Sequence, residues 1–264
     1  MQRLFPAASG HVNPLSIYDE LDLPAGRDGR PYTAVNMVTT VDGKTTLDRN
    51  RIRQPIGSQL DRTLMARLRA NFDAVIRGAG TVRAHSVYPG VPPELEHRRI
   101  ARGLTRQPLA VVVTNSGRLP LDAPFFHRTP RRPLVIVSAA APADHVAALR
   151  EQAEVVVMDQ HPLDLAAVWR LLYEAYNVRR LLSEGGAHLN HACLAKGLLD
   201  EIFWTVAPRV AGSSHDLTMV EGPAVLQPLP SLELVSAYCH EHELFLRYRL
   251  IGTLAAGGDV SVSV

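Results

Sequence analysis

The chain has 264 residues, of which 46% are hydrophobic and 20% are charged, and its formal net charge is +2. This composition can bury a substantial core, and its mixed charges argue against a nucleic-acid-binding surface, while a pI near 8.7 suits an anionic small-molecule ligand. No long apolar run predicts a signal peptide or membrane span, and two lone cysteines, Cys193 and Cys239, favour free thiols in a reducing cytoplasm.

The pattern along the chain predicts alternating strands and helices. Residues 1–30 are rich in turns and are predicted to form an arm that packs on the body. Predicted strands cover 32–38, 72–76, 109–113, 134–137, 155–157, 178–182 and 201–206, and predicted helices cover 58–70, 82–84, 92–103, 163–176 and 187–196. Strands at 232–239 and 244–250 are joined by a short polar link, which is typical of a hairpin.

These elements predict an α/β fold with a mostly parallel sheet that ends in an antiparallel pair. One domain over residues 31–252 is expected, followed by a tail at 253–264. The end of this tail, 257–264, is either disordered or an added edge strand.

The strand predicted at 178–182 ends in Ser183-Glu184-Gly185-Gly186, directly before a helix. Such a turn presents unpaired backbone N–H groups and the positive end of a helix dipole, which together favour a phosphate. Because a carboxylate repels phosphate, Glu184 is expected to face a second, neutral polar ligand.

A second glycine turn, residues 77–83 (RGAGTVR), also separates a predicted strand from a helix. It lacks the third glycine of a Rossmann fingerprint and the Gly-Lys-Ser/Thr ending of a Walker loop, so alone it fits a simple tight turn. Ligands bind at the carboxyl ends of parallel strands. The two turns are therefore expected to share one crevice and hold an elongated dinucleotide, with the Thr81 hydroxyl on a phosphate oxygen.

Other polar residues leave alternatives open. Asp42 lies in an Asp-Gly turn at the end of a strand and either caps that turn or faces a ligand. Arg69, at the end of a predicted helix, is either a solvated cation or an anion clamp. The polar run 240–243 (HEHE) fits a hairpin tip better than a metal site, and hydrolase and zinc-deaminase motifs are missing.

As a set, these motifs resemble the riboflavin-pathway pyrimidine reductases, which include the reductase half of the bacterial bifunctional deaminase/reductase. Motifs similar to those of this family occur in order over about residues 31–250: Asp42-Gly43-Lys44, Leu68-Arg69-Ala70, Gly78 to Val82, Arg118-Leu119-Pro120, Glu184-Gly185-Gly186, Gly197 to Glu201, and Ala207-Pro208 to Gly212.

The resemblance implies a dihydrofolate-reductase-like three-layer αβα fold, NADPH as hydride donor and a homodimer, while the composition predicts a cytoplasmic protein and the residues predict no metal site. The family reaction reduces the ribosyl carbonyl of a ribosylamino-pyrimidine phosphate. Residues implied in cofactor binding are Val38, Gly78, Gly80, Thr81, Val82, Asn115, Ser116, Gly185, Gly186, Ala187 and His188, with Asn115 and Ser116 near the adenosine 2′-phosphate. Arg69 and Glu184 are implied in substrate binding, and Asp42 and Glu184 in catalysis.

One segment departs from the family pattern. Where the biosynthetic enzymes carry D-D-P-x-L-T-x-R, residues 84–90 read AHSVYPG, without the carboxylates and the distal arginine. The chain therefore resembles the stand-alone branch of the family. Three functions are considered: reduction of the riboflavin intermediate, reduction of dihydrofolate or another pterin, and NADPH binding without catalysis.

Overall fold

The computed structural model describes residues 1–7, 9–48, 52, 54–127 and 129–252. Its strands are β1 Gln2–Phe5, β2 Ser9–His11, β3 Tyr32–Thr40, β4 Ala74–Gly78, β5 Leu109–Thr114, β6 Leu134–Ser138, β7 Glu154–Met158, β8 Arg180–Ser183, β9 Glu201–Ala207, β10 Ser231–His240 and β11 Glu243–Ile251. Its helices are α1 Gln59–Arg69, α2 Ala79–Ala84, α3 Pro93–Ala101, α4 Pro124–His127, α5 Ala143–Gln152, α6 Leu165–Glu174 and α7 Ala187–Ala195.

The described strands form an 11-stranded sheet in the order β2-β1-β10-β11-β9-β3-β8-β4-β5-β6-β7. From β9 through β3 to β7 every neighbouring pair is parallel, whereas β11, β10, β1 and β2 add antiparallel strands at one side. Strands β5 and β6 are continuous apolar runs and are buried throughout, as expected for parallel strands covered on both faces. The predicted mostly parallel sheet with a carboxyl-terminal hairpin is confirmed.

Helices cover both faces of the sheet. Side chains of α6 and α7, such as Trp169 and Leu189, belong to one core cluster with Val111 and Val113 of β5. The alternate residues Ala110 and Val112 pack instead with the group that includes Phe125 of α4 and Leu149 of α5. Because successive side chains of a strand point to opposite faces, these two groups lie on opposite sides of the sheet. The three-layer αβα architecture is confirmed.

Helix α1 covers the middle of the sheet on the same face as α4 and α5. Its Leu64 and Leu68 pack with Val75 of β4 and Leu182 of β8. The helix begins after Ser58, whose hydroxyl accepts a hydrogen bond from the Asp61 backbone N–H at 3.1 Å. The last residue of the helix, Arg69, lies beside the ends of β4 and β8.

The structure contains regular elements beyond those predicted, among them α4, α5 and two strands in the amino-terminal arm. In this arm, which is predicted to be rich in turns, β1 pairs with β10 and β2 pairs with β1. Helix α5 was not predicted, because Val146 and Leu149 are its buried apolar residues and the rest of it is alanine or polar. The predicted tail at 253–264 lies outside the described residues, and the division into 1–30, 31–252 and 253–264 stays a prediction.

In the part of the chain that the structure describes, none of the helices is long and apolar enough to cross a membrane. Cys193 is buried and Cys239 half-buried, and both are free thiols. The run 240–243 forms the β10–β11 turn, in which Glu241 and His242 have positive φ.

Candidate active site

The residues singled out in the sequence follow four neighbouring parallel strands. Strands β3, β8, β4 and β5 lie side by side in that order, so their carboxyl ends share one edge of the sheet. Asp42 follows β3, Glu184 follows β8, Gly78 ends β4 and Asn115 follows β5. Clefts at such an edge are where α/β sheets bind their ligands.

The two glycine turns contact each other. The Gly78 backbone N–H donates to the Gly185 carbonyl at 2.9 Å. A Cβ placed on Gly186 would lie 3.1 Å from the Thr81 Oγ1, so the absence of a side chain leaves the space beside the threonine hydroxyl open. Gly185 has φ +77°, and a Cβ there would lie 3.0 Å from the Met37 sulfur, so only glycine fits this turn without strain.

The helices that follow the turns begin without side-chain caps. Gly186 precedes α7 and Gly78 precedes α2, and neither can cap the first-turn N–H groups of its helix. His188 on the first turn of α7 is exposed, whereas Ala187 is buried. The nine-residue α7 therefore offers backbone donors and a positive dipole end at the carboxyl edge.

Glu184 lies between two arginines. Its Oε1 accepts from Arg69 Nε at 2.5 Å, and its Oε2 accepts from Arg69 Nη2 at 3.0 Å. Oε2 also accepts from Arg77 Nε at 3.0 Å and from Arg77 Nη2 at 2.6 Å. All three side chains are at most 10% exposed. We call Arg69, Glu184 and Arg77 the buried triad.

The register of β4 and β8 explains the buried triad. Ile76 pairs with Ser183, so the next residues, Arg77 and Glu184, are neighbours on adjacent strands. Both lie two residues beyond positions that pack on α1, which places them on the α1 face beside Arg69. Burial alone would raise the pKa of Glu184, but the charges and hydrogen bonds of Arg69 and Arg77 lower it to about 2.

Both carboxylate oxygens of Glu184 face guanidinium groups, which the sequence did not predict, and the expectation that Glu184 also faces a neutral polar ligand stays a prediction. Its contact with substrate stays a prediction. Arg77 was not predicted as a site residue. The signal for it is that Arg77 is the one charged residue in β4, whose five residues are all buried.

Asp42 is tied to a neighbouring loop. It is exposed, and its carboxylate accepts from Thr40 Oγ1 at 2.6 Å and from the backbone N–H groups of Ala211 and Gly212 at 3.0 and 2.9 Å. These hydrogen bonds, that from Thr40 first, hold the pKa of Asp42 well below its usual range. The geometry matches the turn-capping alternative, and a catalytic role of Asp42 stays a prediction.

Asn115 and Ser116 differ in exposure to solvent. The buried Asn115 Oδ1 accepts from the Leu163 backbone N–H at 2.9 Å. Ser116 is exposed, and the exposed Arg83 donates from Nη1 to the carbonyl of Arg118, two residues further on, at 3.0 Å. Arg118 is exposed as well, so two exposed arginines belong to the region where β5 ends, and the Arg83 guanidinium contacts the backbone two residues beyond Ser116.

The remaining predicted residues lie at the same edge or lead to it. Val38 is half-buried in β3, and Gly80 lies in the first turn of α2. The Val82 side chain is fully buried in the core that includes Phe125, so Val82 offers a ligand only its backbone.

Fold and site define an αβα protein whose two glycine turns and buried triad lie at the carboxyl edge of a parallel sheet. The chain belongs to the RibD C-terminal domain family, whose profile matches residues 31–245.

The chain matches two curated relatives over nearly the full length of each. The chain is 35% identical to the "2,5-diamino-6-ribosylamino-4(3H)-pyrimidinone 5′-phosphate reductase" of Archaeoglobus fulgidus, over 75% of this chain and 90% of that protein. It is 32% identical to the protein of the same name from Methanothermobacter thermautotrophicus, over 84% of this chain and 100% of that protein.

Among solved structures, a pyrimidine reductase-like protein from Corynebacterium diphtheriae superposes with a TM-score of 0.77 at 22% identity, covering 91% of this chain and 100% of that one. This likeness concerns the fold. The expected dihydrofolate-reductase-like α/β fold is confirmed.

Proposed function

We propose that this chain is an NADPH-dependent reductase of riboflavin biosynthesis that acts on a ribosylamino-pyrimidine 5′-phosphate. The observation that carries the proposal is the match, over nearly their full lengths, to two relatives named as reductases of such a compound. Opening of the sugar ring breaks the bond between C1′ and the ring oxygen, moves the amine proton to that oxygen and leaves a C1′=N imine. The reaction then adds a hydride to C1′ and a proton to the nitrogen, which gives a ribitylamino chain and NADP⁺.

The glycine turns fit a dinucleotide phosphate. Gly186 leaves open the space beside the Thr81 hydroxyl that a side chain would fill, and the uncapped first turn of α7 supplies donors next to it. Gly78, Gly80, Thr81 and residues 185–188 would hold the diphosphate there. NADPH, when bound, supplies the hydride, and the role of these residues is to position it.

The end of β5 suits a 2′-phosphate. Ser116 is exposed, Arg118 two residues further on is exposed, and the exposed Arg83 guanidinium contacts the Arg118 carbonyl. Arginine pairs well with phosphate because its planar fork of N–H groups matches two phosphate oxygens. This cationic surface supports NADPH rather than NADH as the preferred cofactor.

On the substrate side, Arg69 and Glu184 are proposed to contact the sugar, the base or the phosphate. The low pKa of Glu184, about 2, means that its carboxylate is ionised near neutral pH, and that of Asp42 is lowered as well. Neither group can then be the proton donor at neutral pH, so we propose that solvent supplies the proton. Catalysis would depend chiefly on the position of the substrate C1′ relative to the cofactor.

Steady-state turnover tests the proposal. Purified protein should oxidise NADPH when given 2,5-diamino-6-ribosylamino-4(3H)-pyrimidinone 5′-phosphate or its deaminated uracil counterpart, with a lower KM for NADPH than for NADH. Dihydrofolate serves as the competing substrate, because the divergent segment 84–90 keeps a pterin under consideration. Turnover of dihydrofolate alone would favour the pterin reductase, and NADPH binding without any turnover would favour the non-catalytic module.

A homodimer in the cytoplasm completes the proposal. Dimerisation rests on the family resemblance, and the location rests on the two free thiols and the composition. Sedimentation velocity over a range of concentrations should give one species of about twice the mass of the 28.9 kDa chain.

A further inference from the structure

Arg77 holds two parts of the candidate site together. Besides its two hydrogen bonds to Glu184, its Nη1 donates to the carbonyls of His85 at 3.3 Å and Val87 at 2.8 Å. A guanidinium has five N–H groups, and these contacts engage four of them. Arg77 thus connects the end of β8 to the segment 85–90, which diverges from the family pattern.

Arg69 uses fewer of its donors. Its Nε and Nη2 donate to Glu184, and its Nη1 donates to the Gly90 carbonyl at 3.3 Å. Two of its five N–H groups therefore have no hydrogen-bond partner among the described residues. Arg77 has one such N–H group and Arg69 has two, so Arg69 is the member of the buried triad with more donors left for a ligand.

The buried triad carries a net positive charge. One carboxylate compensates one of the two guanidinium groups, and Glu184 is the carboxylate that either arginine pairs with in the described part of the chain. An uncompensated buried charge is costly, so such a charge at a ligand site favours a ligand of opposite sign. At the other end of the sheet Glu201 also pairs with two arginines, Arg247 and Arg249, but Arg249 is 47% exposed and solvent screens its charge.

We propose that Arg77 is a positioning residue. It neutralises Glu184 and fixes the segment 85–90, so that the charge and the spare donors of Arg69 remain for an anionic group of the substrate. This inference rests on the proposed function, in which that group is the 5′-phosphate. Without Arg77, Glu184 would compensate Arg69 fully, and the attraction for the anion would fall.

The test compares R77M and R77K with the wild-type enzyme on the phosphorylated substrate and on the same ribosylamino-pyrimidine without phosphate. R77M should raise KM for the phosphorylated substrate by roughly tenfold or more, the effect of losing one interaction with a charged group, with a much smaller change in kcat. KM for the phosphate-free compound should hardly change. R77K keeps the positive charge and should recover most of the affinity.

R247M is the matched control, because it removes a similarly buried arginine from a glutamate far from the site. It should lower the thermal midpoint at least as much as R77M while leaving KM unchanged. Equal KM increases for both substrates in R77M, or no change for either, would overturn the proposal.

A binding measurement separates this inference from the proposed function. If the wild-type enzyme reduces neither pyrimidine, the proposed function fails, but calorimetry with ribose 5-phosphate still tests Arg77. Wild type and R77M have the same glycine turns, so these turns contribute equally to phosphate binding in the two proteins. Weaker binding of ribose 5-phosphate to R77M than to wild type would therefore support the role of Arg77. Equal binding to the two would contradict it.

Discussion

At the residue scale, the central feature is a carboxylate that two buried cations share. Removing Glu184 leaves Arg69 and Arg77 facing each other without compensation. We expect Glu184→Gln to lower the free energy of unfolding by about 3–5 kcal/mol, the cost typical of breaking a buried ion pair. Urea unfolding at neutral pH measures this change.

Glu233→Gln is the control for that substitution. Glu233 is 56% exposed and lies 3.8 Å from Arg249, so its removal should change the free energy of unfolding by less than about 0.5 kcal/mol. Similar losses for the two variants would show that the buried triad contributes no special stability.

Asp61 gives a pH-dependent prediction, in which removing a buried carboxylate stabilises the protein instead of destabilising it. Burial, together with the nearby charge of Glu243, raises the pKa of Asp61 to about 6, although a hydrogen bond from Thr205 opposes the shift. Because the folded pKa is above the unfolded value of 3.8, the folded state binds the proton more tightly. The stability that protonation of Asp61 contributes is complete below pH 3.8 and is lost as the pH rises through about 6.

Asp61→Asn should therefore raise the free energy of unfolding at pH 8, by at most about 3 kcal/mol for a shift of about two pKa units, and by much less at pH 4. The backbone N–H of residue 61, which bonds to Ser58, is kept in this variant. Thermal unfolding from pH 4 to pH 8 measures the difference. Parallel pH curves for the two proteins would contradict the assignment.

Sequence reasoning placed Glu184 and Arg69 at the site but missed Arg77. The three residues come together only because β8 lies beside β4, although the two strands are about a hundred residues apart in the chain. Nothing local to residues 74–78 shows which strand will be their neighbour. The partner of Glu184 could not be derived without the strand order.

At the element scale, the contact between the two glycine turns decides how a phosphate could be held. In Gly186→Ala the new Cβ would lie 3.1 Å from Thr81 Oγ1 and would occupy the space proposed for the cofactor phosphate. We expect the Kd for NADPH to rise by roughly tenfold or more, since a hydrogen bond to a charged phosphate is lost. Fluorescence titration measures the Kd.

Gly10→Ala serves as the control, because a Cβ there meets no atom within 4 Å. It should leave the Kd for NADPH unchanged. An unchanged Kd in Gly186→Ala would place the cofactor elsewhere.

Elements with a strong local pattern were predicted well. The β-branched runs at 109–113 and 134–137 are the strands Leu109–Thr114 and Leu134–Ser138. The elements that were missed depend on distant partners or carry weak patterns. Strand β1 exists because it pairs with β10, with Gln2 opposite Cys239, and α5 has too few apolar residues for a clear helical period.

At the scale of the whole molecule, one sheet supports two separate sets of charges. At its amino end, Arg30 pairs with Asp200 at 2.7 Å and ties the amino-terminal segment to the start of β9. At its carboxyl edge, the buried triad and the glycine turns lie side by side on neighbouring strands. The first set stabilises the fold, and we propose that the second binds the ligands.

The most direct test of the proposed NADPH-dependent reduction is to follow the transferred hydride. NADPH carrying deuterium at its transferable position is incubated with the protein and 2,5-diamino-6-ribosylamino-4(3H)-pyrimidinone 5′-phosphate, and the product is analysed by mass spectrometry and NMR. We expect a ribityl product with one deuterium, on the carbon that was C1′ of the ribose. Recovery of unreduced substrate, or a product without deuterium, would contradict it.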